Sequence, residues 1–141
     1  MRFVDTNVLL YAISVDSGEQ SKAARANEIL SSRDVGLSVQ VLQEFYVQAT
    51  RDTRPKQLRL KQLTHEQAVA LAESFRRFPV QETTNGVMLA AMATRQRFGI
   101  AYWDAAVIEA ARALGCEVVL TEDLNDGQDY AGVRVENPFA R

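Results

Sequence analysis

The chain has 141 residues, 47% of them hydrophobic and 24% charged, with a formal net charge of −2. That length suits one domain, residues 1–141, built around one core, and the composition is that of an ordinary globular protein. The slightly acidic balance excludes a chain-wide basic footprint, so any contact with phosphate must come from a local patch. A single cysteine, Cys116, excludes an internal disulfide, and its place beside an apolar run marks it as a core residue. No paired Cys/His spacing points to zinc. No apolar run approaches the roughly 20 residues of a membrane span. The N-terminus reads as a strand rather than a signal peptide, so the cytoplasm is the expected compartment.

In chain order, Phe3-Val4 predicts a first strand. Thr6 and Asn7 offer capping groups to a short helix carrying Val8, Leu9 and Ala12. The polar stretch Asp16-Ser17-Gly18-Glu19 leads to a helix with Ala23, Ala26 and Leu30 on one face. Val35-Gly36-Leu37-Ser38 predicts a second strand. The next helix spaces Leu42, Phe45, Tyr46 and Ala49 as an apolar stripe. Arg51, Arg54, Lys56, Arg59 and Lys61 then share a basic stretch with Asp52 and Pro55. Thr64-His65-Glu66-Gln67 is a capping box opening a helix with Ala68, Leu71, Ala72 and Phe75. Its histidine, the only one in the chain, has a structural or solvated role. Pro79-Val80-Gln81 suggests a short third strand. A helix from about Thr84 to Phe98 stops at Gly99. Ala101-Tyr102-Trp103 leads to Asp104 and a helix bearing Val107, Ile108, Ala111 and Leu114. Val118-Val119-Leu120 is the clearest buried strand, and Val133-Arg134-Val135 the last. The alternation predicts an α/β fold with a mostly parallel sheet of four to five strands and helices on both faces.

Functional groups in such folds gather beyond the carboxyl ends of the strands. Asp5 closes the first strand there, and Glu44, Asp104 and the pair Glu122-Asp123 fall at similar junctions. Each acid has an ordinary explanation. Asp5 and Asp104 suit helix N-termini. Glu44, beside Gln40 and Gln48 and off the apolar stripe, suits a solvated flank. Glu122, Asp123 and the Asn125-Asp126-Gly127 stretch suit turns. Jointly the acids would repel each other at one rim unless a cation sat among them. Hard oxygen ligands suit Mg²⁺ or Mn²⁺, which would neutralise the acids, polarise a phosphoryl oxygen and lower the pKa of a bound water. Thr6, Ser38 and Thr121 lie beside the acids as candidate donors to the carboxylates, although caps and turns also explain them. Core packing accounts for Tyr102 and Trp103 better than stacking on a base.

Two other acid-based folds fail on the sequence. A haloacid-dehalogenase-type phosphatase needs a second aspartate two residues after the first, where Asn7 stands. A receiver domain needs acids ahead of its first strand end and a late lysine, and no lysine follows Lys61.

Val4-Asp5-Thr6-Asn7-Val8-Leu9-Leu10, Leu42-Gln43-Glu44-Phe45, Trp103-Asp104-Ala105-Ala106-Val107 and Leu120-Thr121-Glu122-Asp123-Leu124 together resemble the PIN-domain nucleases. More narrowly, they resemble the VapC toxins of bacterial toxin–antitoxin pairs. Asn125-Asp126-Gly127-Gln128 and Asn137-Pro138-Phe139 fit that subgroup. The resemblance spans essentially the whole chain and keeps the four acidic blocks in order. It implies a Mg²⁺- or Mn²⁺-dependent ribonuclease with Asp5, Glu44, Asp104 and Asp123 as its acidic quartet. Asp5 and Asp104 would be the most direct metal ligands. Glu122 and Asp126 compete with Asp123 for the fourth place. The resemblance also implies a homodimer and a cognate antitoxin that blocks the active site. Arg51, Arg54, Lys56 and Arg59 are candidates to guide the RNA backbone, and a solvated loop explains the same run. A non-catalytic interaction module and a DNA-directed nuclease with the same acids are the alternatives. The small size, with no room for a helical arch, leans toward RNA.

Overall fold

Strand β1 is Arg2–Val4 in the computed structural model, which describes residues 1–51 and 62–140. Phe3 and Val4 are both completely buried. Successive strand residues face opposite sides of a sheet, so both faces of β1 are covered. Strand β2, Val35–Ser38, is buried at all four positions. Val119 and Leu120 of β4, Val118–Leu120, are buried as well. Short apolar runs buried on both sides belong to parallel strands between layers of helix, and β1 pairs in parallel with both β2 and β4.

Strands β3 (Val80–Gln81), β5 (Asp129–Tyr130) and β6 (Val133–Glu136) complete a six-stranded sheet in the order β3-β2-β1-β4-β6-β5. The sheet is mostly parallel, as expected; only β5 runs antiparallel, against β6. β5 is a two-residue strand that no hydrophobic run announces. The first three strands build out to one side of β1, and β4 then returns to its other side. The topological switch therefore lies between β1 and β4, the place where such sheets open a crevice.

The helices are α1 (Thr6–Ala12), α2 (Gln20–Ser31), α3 (Val39–Thr50), α4 (His65–Phe75), α5 (Asn85–Phe98) and α6 (Tyr102–Ala113). Their starts are set by side-chain caps. Asp5, rather than Thr6 or Asn7, caps α1 by accepting from the Thr6 backbone N–H. Ser38 caps α3, and Thr84 caps α5. Thr64 and Gln67 form the complete capping box of α4. Gly99 ends α5 at φ 68°, a left-handed conformation that favours glycine. The buried line of α3 is Val41, Phe45 and Ala49; Phe45 and Ala49 belong to the predicted stripe, Leu42 packs partly buried beside them, and Phe45 stands edge-on to Phe75 of α4 at 5.2 Å. His65 bonds through Nδ1 with the Tyr46 hydroxyl at 2.9 Å and so ties α4 to α3. Cys116 is buried, as expected, and burial pushes its thiol pKa up. Of the basic run, Arg51 is exposed; Arg54, Lys56 and Arg59 lie outside the described residues. No helix among the described residues is long and apolar enough to cross a membrane.

Away from the crevice, one charged cluster holds the far edge of the sheet. Glu109 is buried on α6 and accepts from the Thr94 hydroxyl at 2.6 Å and from Arg112 Nε at 2.9 Å. The same guanidinium donates to the Tyr130 and Ala131 carbonyls at 2.7 and 2.6 Å. It thereby pins the β5–β6 turn, where Ala131 sits at φ 54°. Removing Arg112 leaves a buried carboxylate without its counter-charge. Arg112→Ala should therefore cost about 2 kcal/mol, below the full value for a buried pair because the arginine is partly exposed. Urea denaturation measures it, and a loss under about 0.5 kcal/mol would show that Arg112 holds nothing.

Candidate active site

Residues from four distant parts of the chain line one open cleft of about 340 Å³ at the carboxyl edge of the sheet. Its walls include Asp5, Thr6 and Asn7 after β1, Gln40, Glu44 and Gln48 on α3, Trp103 and Asp104 on α6, and Glu122 and Asp123 after β4. The spacing on α3 is four and eight residues, so Gln40, Glu44 and Gln48 form one helical stripe facing the cleft.

The junction of β1 and β4 is the frame. Val4 pairs with Leu120, and the Asp5 backbone N–H donates to the Leu120 carbonyl at 3.0 Å. Asp5 is only 6% exposed. One carboxylate oxygen accepts from the Thr6 N–H at 2.7 Å and the other from the Thr121 hydroxyl at 2.9 Å. Thr121 is wholly buried and works as a hub. Its oxygen also accepts from Asn7 Nδ2 at 2.9 Å and from the Asp123 backbone N–H at 3.1 Å. The Thr6 hydroxyl donates to Glu44 at 3.0 Å and so fixes the α3 acid to the start of α1. Thr6 and Thr121 thus orient carboxylates. Ser38 departs from the expectation drawn for all three hydroxyls: its oxygen accepts from the Val41 N–H at 3.2 Å and serves the start of α3.

Asn7 is the polar residue of the cleft that sequence reasoning passed over. Its Nδ2 bridges Thr121 and Asp123, the latter at 3.2 Å. Turning the amide over would set its oxygen against the Asp123 carboxylate, so the orientation is fixed by chemistry. Asn7 Oδ1 is then buried with no hydrogen-bond partner among the described residues. The one sequence clue was its place two residues after Asp5.

The three acids after β4 have separate fates. Glu122 is ion-paired with Lys22 at 3.1 Å and accepts from the Tyr11 hydroxyl. Asp126 accepts from the Asn137 N–H at 2.8 Å and closes a turn. Asp123 is exposed at the cleft, and among the described residues its carboxylate accepts from Asn7 alone. Among the described residues, none of Asp5, Glu44, Asp104 and Asp123 forms an ion pair.

The electrostatic consequence falls on two acids. Burial, followed by repulsion from Asp123 and Glu44, raises Asp5 from 3.8 to about 6, against the pull of its two hydrogen bonds. Asp104, half-buried in the first turn of α6, is raised by burial and then by the same two neighbours. As placed, no three acids among the described residues converge closely enough to make a ligand cluster. They surround the cleft and feel each other across it.

Trp103 also differs from expectation. It is 64% exposed at the cleft wall rather than packed in the core. Helix α6 begins at Tyr102 and its continuous buried stretch begins at Ala105, which leaves Trp103 on the outer side of the first turn.

The sequence profile of the PIN domain family matches residues 2–129, and the chain belongs to that family. The fold is shared with several solved structures. A toxin–antitoxin complex from Klebsiella pneumoniae aligns over 99% of this chain and 98% of its own, with TM-score 0.68 and 18% identity. DNA-bound VapBC from Salmonella typhimurium aligns over 97% of each chain, with TM-score 0.65 and 20% identity. VapC20 from Mycobacterium tuberculosis, described as a sarcin–ricin loop cleaving toxin, aligns over 87% of this chain and 92% of its own, with TM-score 0.64 and 19% identity. At these identities the likeness is one of fold. No curated protein sequence matches the chain.

The raised Asp5 carboxyl has a sign that can be checked. Between about pH 4 and pH 6 the folded, metal-free protein binds a proton that the unfolded chain has released. Stability contributed by this group is therefore full below the ordinary value and is lost as pH rises through the folded one. The climb from 3.8 to about 6 corresponds to about 3 kcal/mol. Denaturation of the wild type in a chelator should lose roughly that much, relative to Asp5→Asn, from pH 4 to pH 6.5, and stay level above. Parallel curves for the two proteins would show that the fold does not raise the Asp5 carboxyl.

Proposed function

We propose that this chain is a Mg²⁺- or Mn²⁺-dependent endoribonuclease of the VapC type, the toxin of a toxin–antitoxin pair acting in the cytoplasm. One observation carries the reading: Asp5, Glu44, Asp104 and Asp123 meet around one cleft with no basic side chain to neutralise them among the described residues.

The donor set fits a hard divalent cation. It is all oxygen, with no thiolate or imidazole in the cleft lining. Mg²⁺ is commonly held by one or two carboxylates, with waters and substrate phosphate completing the shell. Acids that ring a cleft without converging suit that mode better than a closed protein cage. The unpartnered Asn7 Oδ1 is a further acceptor beside Asp5 and Asp123, suited to an ordered water. A bound cation would supply charge neutralisation, polarisation of the phosphoryl oxygens and a water of lowered pKa.

The chain's own residues then divide the work. Asp5 and Asp104, whose carboxyls are raised by burial and then by the neighbouring acids, would be the principal ligands. Asp123 is the fourth acid in preference to Glu122 and Asp126, because those two are already engaged by Lys22 and by the Asn137 backbone. Thr6 and Thr121 hold Glu44 and Asp5 in fixed rotamers so that little reorganisation is needed when substrate arrives. Among the described residues the cleft lining holds no serine, cysteine or histidine, which supports water as the nucleophile.

The antitoxin partner is supported by the fold shared with a toxin–antitoxin complex and with VapBC. RNA as substrate is supported by VapC20, a sarcin–ricin loop cleaving toxin. A homodimer is supported by Leu89 and Met92, which lie 61% and 50% exposed on the outer side of α5.

Purified protein incubated with a mixed set of structured RNAs should cut in Mg²⁺ or Mn²⁺ and be silent in EDTA. Asp5→Asn and Asp104→Asn should each lower cleavage by about a hundredfold or more, the scale of several kcal/mol of lost transition-state charge stabilisation. Their circular dichroism should match the wild type. Full activity in both variants would remove the acids from the reaction.

A further inference from the structure

We propose that Trp103 is a stacking platform for an unpaired nucleobase next to the phosphate held in the acidic cleft. The proposal rests on the nuclease reading above and adds the means by which such an enzyme selects single-stranded or looped substrate.

Several observations meet at this residue. Trp103 is 64% exposed, an unusual state for the largest apolar side chain. It immediately precedes Asp104 on α6 and lines the same cleft as the four acids. Two contacts bear on its position, one on the backbone and one on the ring. Gln40 Nε2 donates to the Trp103 carbonyl at 3.2 Å, and the Tyr102 ring stands edge-on to the indole at 4.9 Å and 79°. An exposed aromatic fixed in place loses little entropy when a flat partner settles on it.

The indole also borders a second, smaller cavity of about 150 Å³, on whose wall stand the amides Gln40, Gln43 and Gln81. Trp103 and Gln40 are shared by both spaces. A nucleotide whose phosphate lies at the acids thus finds a π-face one step away and amide donors and acceptors beyond it. That is the combination by which proteins read splayed-out bases of single strands and loops. A base within a duplex is stacked on its own neighbours and cannot offer its face. Among the described residues the cleft lining holds no lysine or arginine, so binding energy that does not come from charge has particular value here. Base–aromatic stacking contributes about 1–3 kcal/mol per base.

Trp103 is the only tryptophan in the chain, so its emission reports the contact without a label. The test titrates the intact protein, in Ca²⁺ to slow cleavage, with oligoadenylate and oligouridylate of about twenty nucleotides, long enough to exceed common single-strand site sizes. A ribose-phosphate chain of equal length lacking bases is the control. Base-bearing strands should quench the emission, and the abasic strand should bind more weakly and leave it unchanged. Trp103→Ala should weaken binding of the base-bearing strands by about 5- to 150-fold, the factor that the stacking energy converts to. It should leave affinity for the abasic strand unaltered, and Trp103→Phe should keep most of the binding. Binding without quenching, or equal affinity in Trp103→Ala, overturns the proposal. Metal-dependent RNA cleavage by the wild type, scored alongside, shows whether the nuclease reading survives that failure. Conversion of a dimer to a monomer in Trp103→Ala, with affinity per subunit unchanged, would assign the indole to a subunit contact and equally overturn it.

Discussion

The hydrogen bond between the Thr121 hydroxyl and Asp5, across the seam of β1 and β4, is the interaction on which the cleft depends. Parallel pairing of Val4 with Leu120 brings the ends of the two strands level. The chain then turns into α1 on one side and into the Glu122-Asp123 turn on the other. Thr121 is bonded to both turns at once, through Asp5 and Asn7 on one and the Asp123 backbone on the other. With that seam set, Thr6 reaches Glu44, and α6 brings Asp104 to the same opening. The arrangement is unfavourable for the acids themselves. Burial and mutual repulsion raise Asp5 and Asp104, so the fold keeps in place a group of charges that a hard cation would relieve.

Much of this was legible in the sequence, and for a definable reason. Buried parallel strands are short apolar runs, and Phe3-Val4, Val35-Gly36-Leu37 and Val118-Val119-Leu120 stand out as such. Acids that follow those runs within a few residues, Asp5 at once and Asp123 three residues on, can be placed at the sheet's carboxyl edge without knowing the strand order. The capping box at Thr64 and the glycine stop at Gly99 are local signals, and local signals are what a single sequence carries best. The illegible features are those set by partners remote in the chain. Asn7 bonds to residues 114 and 116 positions away. β5 has two residues and exists through its pairing with β6. Trp103 was misplaced because its exposure depends on the phase of α6, which begins earlier than the apolar pattern suggests.

Two electrostatic regimes sit side by side in the cleft. Glu122 is neutralised by Lys22, whose ammonium also lies 4.7 Å from the Tyr11 ring centre. One residue on, the Asp123 carboxylate lines the cleft and, among the described residues, meets only the Asn7 amide. That difference between adjacent carboxylates, one paired and one not among the described residues, is the ground for proposing Asp123 rather than Glu122 as the fourth acid. The aromatic wall at Trp103 brings a third component, an uncharged surface beside a strongly anionic one. On the proposed reading, the first two components call for a cation at the phosphate and the third offers stacking to the base.

The most direct test of this account is a crystal structure of the protein loaded with Mn²⁺, with the metal located by its anomalous scattering. The account predicts a peak in the cleft, coordinated by one or two of Asp5, Glu44, Asp104 and Asp123, with water completing the shell. It also predicts that the peak is absent from Asp5→Asn crystals grown under the same conditions. A cleft without metal in the wild type, at Mn²⁺ concentrations that support RNA cleavage, would contradict it.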